Sequence, residues 1–559
     1  MITNKPIPQE KIEKRECKFV LSLGNKHTKD LHLIKEQLTL NDGEVLKRVV
    51  LLEDFKKPIY ITKTNKQNHK TKKERERIEN TDIYKVTRLN QTDIVARAIG
   101  KGYLTTGNPI EIYKSPYVYG TDFSHCAYIK YLYMKKNPDF TPFSVAVFDI
   151  ETNVFSENQE TIIATLSFKD KVITAIVKDY VEGISDVERQ LREKFHYYLD
   201  PFIKDRVKKW EIIISDTPAK AIIDVFKRAH RLSPDFIAIW NIDFDIPKIV
   251  MDLKREGYKP EDIFSDPIVP PSCRHFEYIQ GPAVKTTNRG VIQPLKPAQR
   301  WHWVDTPASF YFVDAMQVYY RVRMAQQDEP SYSLDAILDK ELGIRKLKFS
   351  EADQYKGLNW HKYLQKNYKL EYIIYNVFDC ISVELLDEKT YDLSIAMPSS
   401  NHCSHFKDYK SEPKRLWDKL YGFLLERGYV AGTAQGIQSD IDSLQIGKDD
   451  WINTLPAHML QLKKSPFYEE TSNLYTKIRT HCGDLDISAA YPSNGVASNA
   501  SRETTAKELI EIQGVSDQVR RSAGINLSGG NTNAIEVMTD LFNVPTLFEL
   551  DKYFIKKQL

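Results

Sequence analysis

The chain has almost no net charge: 79 Lys and Arg against 76 Asp and Glu leave +3. That balance is too small to diagnose a polyanionic partner, so nucleic-acid contact has to be read from local basic runs. Long apolar runs are also missing. None approaches the ~18 residues that span a bilayer, so neither a membrane helix nor a membrane partner is expected. Cysteine is scarce. Cys17, Cys126, Cys273, Cys380, Cys403 and Cys482 form no C-x-x-C pair, which suits a reducing compartment. The opening stretch MITNKPIPQEKIEKREC is polar and lacks the apolar core of a secretory signal. No internal repeat and no long low-complexity segment is present. These absences point to a soluble, cytoplasmic protein.

What is present is an ordinary globular composition, 42% apolar and 28% charged. A length of 559 residues is too great for one core, so about three domains are expected. Residues 1–140 mix short apolar runs with polar stretches and are read as a β-rich N-terminal domain. Within them, KTNKQNHKTKKERER (Lys63 to Arg77) gathers Lys70, Lys72 and Lys73. Such a run is either a solvated helix face or loop, or a set of phosphate contacts. Residues 141–395 alternate strand-like and helix-like segments and define a mixed α/β domain. SVAVFDIET reads as a buried strand, with TIIATLSF and KVITAIV as hairpin neighbours and DFIAIW as another strand. The spacing predicts helices in IPKIVMDLKREG, in YSLDAILDKELG between Ser333 and Gly343, and in LEYIIYNVFDCISVELLD. Residues 396–559 form the third region. His402, Cys403 and His405 lie together near its start, but no fourth ligand stands at zinc-type spacing, so they are read as a loop.

The carboxylates of the middle region carry the chemistry. Asp149 and Glu151 are two apart on a strand, so both point to one face at the end of an apolar run. Two acids so placed repel each other unless a cation lies between them, and magnesium, a hard oxygen-seeking ion, is the natural partner. Asp245 follows the strand DFIAIW at the start of the next helix. Tyr375 and Asp379 sit one turn apart on the last helix, away from its apolar stripe. Four acids from two strand ends and a helix suit two metals at about 3.5–4 Å separation.

In order along the chain, FDIET, WNIDFD and YNVFD resemble the three exonuclease motifs of the DEDDy proofreading fold, which read D-x-E, N-x-x-F-D and Y-x-x-x-D. The resemblance implies a ribonuclease-H-like fold with 3′→5′ exonuclease activity. It implies that Asp149, Glu151, Asp245 and Asp379 ligate two Mg2+ ions, with Mn2+ as an alternative. Tyr375 would position the attacking water, and Asn241 and Phe244 would hold the 3′ end. Further on, GDLDISAAYPSN resembles motif A of family B DNA polymerases, D-x-x-S-L-Y-P-S, with Ala489-Ala490 in place of Ser-Leu. That implies a metal-binding Asp486 and a Tyr491 beneath the incoming sugar. The stretch GYVAG is similar to the family's template-contacting Y-x-G-G/A turn, which would make Tyr429 a DNA contact.

Two parts of that family are missing: the fingers helix K-x-x-x-N-S-x-Y-G, and the D-T-D turn with the second palm carboxylate. Asp517, Asp540 and Asp551 each fall on a helix-like stretch, and NLSGGNTN lacks the G-K-[ST] of a phosphate cradle. The expectation is therefore a phage-type family B DNA polymerase component, a nucleotidyltransferase with proofreading exonuclease and an incomplete palm at 396–559. A second polypeptide with fingers, motif C and thumb would complete it. DNA is the expected substrate, and a sliding clamp is a further candidate partner. The competing readings are a stand-alone 3′→5′ exonuclease with a vestigial palm and a non-catalytic DNA-binding scaffold.

Overall fold

Alternating apolar residues in the first 53 positions build three long antiparallel strands, β1 (Ile12–Leu23), β2 (Leu31–Leu40) and β3 (Val45–Glu53). The computed structural model describes residues 7–24, 28–70, 72–73, 75–100, 112, 115–138, 141–203, 206–286, 291–324, 328–396 and 412–432. It also describes the backbone of two strands, at 505–509 and 554–558. The chain divides into two compact units, 1–433 and 434–559.

A second small sheet sets β4 (Lys57–Thr62) between β6 (Thr81–Val86) and β7 (Val118–Tyr119), while β5 (Arg75–Arg77) pairs elsewhere. Helix α1 (Gln91–Ala98) packs on β6. Helix α2 (His125–Lys136) begins at Ser124, whose hydroxyl accepts from the Ala127 amide and so satisfies a free N-terminal donor.

The centre of the first unit is a six-stranded mixed sheet. Its strands are β8 (Val145–Thr152), β9 (Thr161–Phe168), β10 (Lys171–Val177), β11 (Lys209–Ser215), β12 (Phe236–Ile239) and β17 (Tyr311–Asp314). They are ordered β11-β10-β9-β8-β12-β17. Strand β9 runs antiparallel to both neighbours, and the other pairs are parallel. Two short hairpin-like pairs lie between β12 and β17: β13 (Glu277–Ile279) with β16 (Trp303–Asp305), and β14 (Val284–Thr286) with β15 (Ile292–Pro294).

Helices cover both faces, so the strands read as almost continuous apolar runs. The further helices are α3 (Val187–Ile203), α4 (Pro218–Leu232), α5 (Ile242–Arg255), α6 (Pro260–Phe264), α7 (Ala315–Val322), α8 (Leu334–Leu342), α9 (Leu358–Asn367), α10 (Lys369–Thr390) and α11 (Glu412–Glu426). Ala146, Phe148 and Ile150 of β8 join one core with α4 and α5. Helices α3 and α10 build a second core on the opposite face with Ile163, Val172 and Ile176. The 22 residues of α10 are buried almost all round, more than the single apolar stripe read from the sequence. Ser333 caps α8, and Gly343 ends it in the left-handed region at φ 68°, as the sequence indicated.

One face of the N-terminal strands packs within 1–140, Val20 and Ile34 against Cys126 and Ile129 of α2, but the other does not stay there. Phe19, Leu21, Leu33 and Val49 pack with Val147, Phe236 and Val313 of the central sheet, so much of 1–140 shares one core with 141–395. Strand β18 (Tyr429–Ala431) pairs antiparallel with β5, which ties residues up to 432 into the first unit as well. The break between compact units thus falls at 433/434, past the expected boundary at 396. In the second unit, β19 (Thr505–Leu509) and β20 (Phe554–Gln558) pair antiparallel. Among the described residues no helix is long and apolar enough to cross a membrane.

Candidate active site

Strand β8 carries Asp149-Ile150-Glu151 just before its last residue, Thr152. Its period of two sends Ile150 into the core beneath α4 and α5, and turns both acids toward α10. Helix α10 meets them with residues three and four apart: Tyr372, Tyr375, Asn376 and Asp379. Carboxylate oxygens of Asp149, Glu151 and Asp379 all lie within 4.8 Å of one another. The Asn376 amide donates to Asp149 Oδ2 at 2.7 Å, and the Tyr372 hydroxyl donates to Glu151 Oε2. Lys346, just beyond α8, donates to Asp379 Oδ2 at 2.6 Å and to the Tyr375 oxygen at 3.0 Å. Its own amide is pinned by Asp335 Oδ1 on α8 at 3.0 Å, which fixes the approach of the side chain.

The fourth acid arrives from β12. The chain leaves that strand through Asn241, whose φ of 73° and ψ of 64° lie in the left-handed region that asparagine tolerates better than most residues. Asp245 follows in the first turn of α5, 3% exposed, close enough for the charges of Asp149 and Glu151 to act on it. Its Oδ1 and the Oδ1 of Asp379 are buried with no hydrogen-bond partner. Phe244 projects outward, 44% exposed. One carboxylate holds this turn: Asp314, at the end of β17, accepts from the Ile242 amide at 3.0 Å and the Gln317 amide at 2.9 Å, capping two helices.

Electrostatics sets the cluster apart. Burial, aided by the charge of Asp379, pushes Asp149 up to about 7. Burial and then Asp149 push Glu151 well above the usual carboxylate range, and burial with the Asp149 charge does the same to Asp245. Asp379 is also raised, because its burial outweighs the pull of Lys346. Burial opposes the charge of Lys346, but Asp379 and Tyr375 outweigh it and hold the ammonium protonated. Asp149, Glu151 and Asp379 therefore share one ammonium, and the Oδ1 atoms of Asp245 and Asp379 remain orphaned. That donor set, all hard oxygen, fits a divalent cation such as Mg2+ or Mn2+. Two cavities, of about 960 and 850 Å3, are not lined by these acids: one borders Asn153, Phe155 and Tyr180 past the end of β8, the other the starts of β10 and β11.

A second locus joins two stretches remote in sequence. Tyr429 pairs with Arg77 across β18 and β5, and the guanidinium groups of Arg75 and Arg77 lie 5.4 and 6.0 Å from its ring. Gly432 is required here, since a Cβ would fall 2.1 Å from the Lys73 carbonyl oxygen. The basic run itself separates into roles. Lys70 is exposed. Burial lowers Lys72 to about 8, and its ammonium lies 5.8 Å from the Tyr119 ring. Lys73 is held by the buried Glu76 at 2.7 Å.

The structure thus brings Asp149, Glu151, Asp245, Tyr375 and Asp379 together, with Asn241 and Phe244 on the adjoining turn. Asp486, Tyr491, Asp517, Asp540, Asp551, His402, Cys403 and His405 lie outside the described residues. Sequence reasoning missed Lys346, Tyr372, Asn376 and Asp314. Tyr372 and Asn376 had a signal, the 3-4-7 spacing with Asp379; Lys346 and Asp314 had none. The described residues define a mixed α/β protein with a buried acidic cluster at the strand ends. No protein-family model matches the chain, and no curated sequence is significantly similar to it.

Proposed function

We propose that this chain removes nucleotides from DNA 3′ ends by metal-dependent hydrolysis, as the proofreading part of a family B DNA polymerase. The observation that supports the reading is the convergence of Asp149, Glu151 and Asp379 within 4.8 Å, with Asp245 alongside and two carboxylate oxygens unpartnered. The sheet supports a ribonuclease-H-like fold: strands β10-β9-β8-β12-β17 follow a 3-2-1-4-5 order with the second antiparallel, extended here by β11.

Asp149, Glu151, Asp245 and Asp379 would hold two Mg2+ ions, with Mn2+ as an alternative. When bound, the ions would supply a hydroxide-like nucleophile at neutral pH and offset charge on the scissile phosphate. The chain's own groups do the rest. Tyr375, its oxygen held by Lys346, orients the attacking water. Phe244, exposed beside Asp245, stacks on the terminal base, and Asn241 shapes the turn that presents it. Lys346 offers a positive charge next to Asp379, where an anionic phosphate approaches. The pairing of Tyr429 with Arg75 and Arg77 offers a surface for a DNA strand, with Lys70 and Lys72 at its edge. The nucleotidyl-transfer half, on Asp486 and Tyr491, belongs to the same proposal, with a second polypeptide supplying fingers, the missing palm acid and thumb; a sliding clamp is a further proposed partner.

The test uses the full chain on a 5′-labelled primer annealed to a template, with Mg2+, with and without deoxynucleotides. The primer should shorten in both conditions. Lengthening would place a second palm acid within the chain, and no change would leave only DNA binding. In either nucleotide condition, Asp149→Ala should leave the primer intact.

A further inference from the structure

Glu151 is the cluster's least restrained acid by covalent geometry. Its side chain has one more rotatable bond than the aspartates, it is half-buried at a strand end, and its acidic neighbours repel it. One hydroxyl holds it. Tyr372 on α10, fully buried, donates to Glu151 Oε2. The phenol has a single proton; when it is donated to the ionised Glu151 that a metal ligand requires, the phenol oxygen is free to accept. His361 Nδ1 lies 2.8 Å from it, and in the Nδ1–H tautomer it would supply the second hydrogen bond. The Tyr372 ring lies parallel to that of Tyr375, at 6.0 Å and 6°, and Trp360 packs against both.

The helix carrying His361 is itself fastened to the strand that carries Glu151. One turn beyond His361 on α9, Gln365 donates to the Thr152 carbonyl at 2.8 Å and accepts from the Val154 amide at 3.1 Å. Helix α9 therefore grips the backbone just past Glu151 through Gln365, and its side chain through His361 and Tyr372. Asp149 has a parallel device in Asn376.

We propose that Tyr372 and His361 are positioning residues that hold the Glu151 carboxylate in its metal-binding orientation. The inference rests on the metal-dependent reading above. Partners of this kind that orient a metal ligand typically change metal affinity by 10–100-fold when removed.

The experiment measures Mn2+ binding to the full chain by loss of the free-ion spin-resonance signal, at constant pH. Single-stranded DNA affinity without metal and the thermal midpoint are measured on the same samples. Tyr372→Phe should weaken Mn2+ binding roughly 10–100-fold while DNA affinity stays at the wild-type value. His361→Ala should weaken it less, and His361→Asn should restore most of the loss, because its amide N–H can replace Nδ1–H. That rescue separates positioning from general loosening of the fold. If Asp149→Ala loses Mn2+ while Tyr372→Phe and His361→Ala bind it like wild type, the positioning role is wrong and the metal site stands. If Asp149→Ala also binds like wild type, the metal site is wrong and the positioning role falls with it.

Discussion

Strand β12 has a buried carboxylate at each end, and the two are treated in opposite ways. Asp235, just before the strand, is 0% exposed and meets Lys35 at 2.9 Å and Lys47 at 3.1 Å, with the Ser144 amide at 2.8 Å. Burial works to raise it, but the two lysines prevail and hold it well below the usual carboxylate range. Asp245, just after the strand, is equally enclosed but faces Asp149 and Glu151, and is driven upward. The residue type and the burial are the same; only the sign of the neighbouring charge differs. The first site is complete and ties β2 and β3 to the central sheet. The second lacks compensating charge, which is what the proposed divalent cation would supply.

The strongest break of this comparison is Asp149→Ala. It should lower 3′-end hydrolysis by roughly a thousandfold or more, about 4 kcal/mol in barrier, in single-turnover assays. The same change removes a repelling charge, so the metal-free thermal midpoint should hold or rise. Asp235→Ala should do the reverse. It leaves two buried lysines unpaired and should cost about 3–5 kcal/mol in denaturant unfolding. A variant that lost activity without losing stability would refute the structural assignment of Asp235.

Tyr375→Phe comes next. It removes a hydroxyl and no metal ligand, so kcat should fall by roughly 10- to 100-fold, less than for Asp149→Ala, with the Mn2+ affinity kept. The smallest effect is on stability against pH. The native state holds the Asp149 proton up to about 7, whereas an unfolded aspartate releases it near its ordinary value. Between those values the unfolded state binds fewer protons, so metal-free stability should fall as pH rises from about 4 to about 7. Mg2+ competes with that proton, so its stabilising effect on the thermal midpoint should be greater near pH 8 than near pH 5.5. An equal gain at both would argue that these acids do not hold the ion.

Much of this site was legible because it obeys local periodicities. A D-x-E pair on a strand must share a face, and Tyr375 and Asp379 one turn apart must share another. The capped helix ahead of the last motif was also readable, from Ser333 and Gly343. The basic run was visible as a run but not as roles: Glu76 claims Lys73, while Arg77 and Arg75 reach Tyr429 across a strand pair that no spacing rule predicts. What the N-terminal strands pack against was not legible for a related reason. The apolar alternation of β1–β3 shows that a face is buried, not that it is buried against β8, β12 and β17.

By itself, then, the sequence determined the strand and helix faces on which the acids stand, since those follow from bond geometry within a few residues. Tertiary structure alone decided which charges those acids meet. Lys346 reaches Asp379, His361 reaches Tyr372, Asp314 reaches the Asn241 turn, and Lys35 and Lys47 reach Asp235 only after distant segments pack. Charge compensation acts through space at a few ångströms, and packing, not chain order, sets those distances.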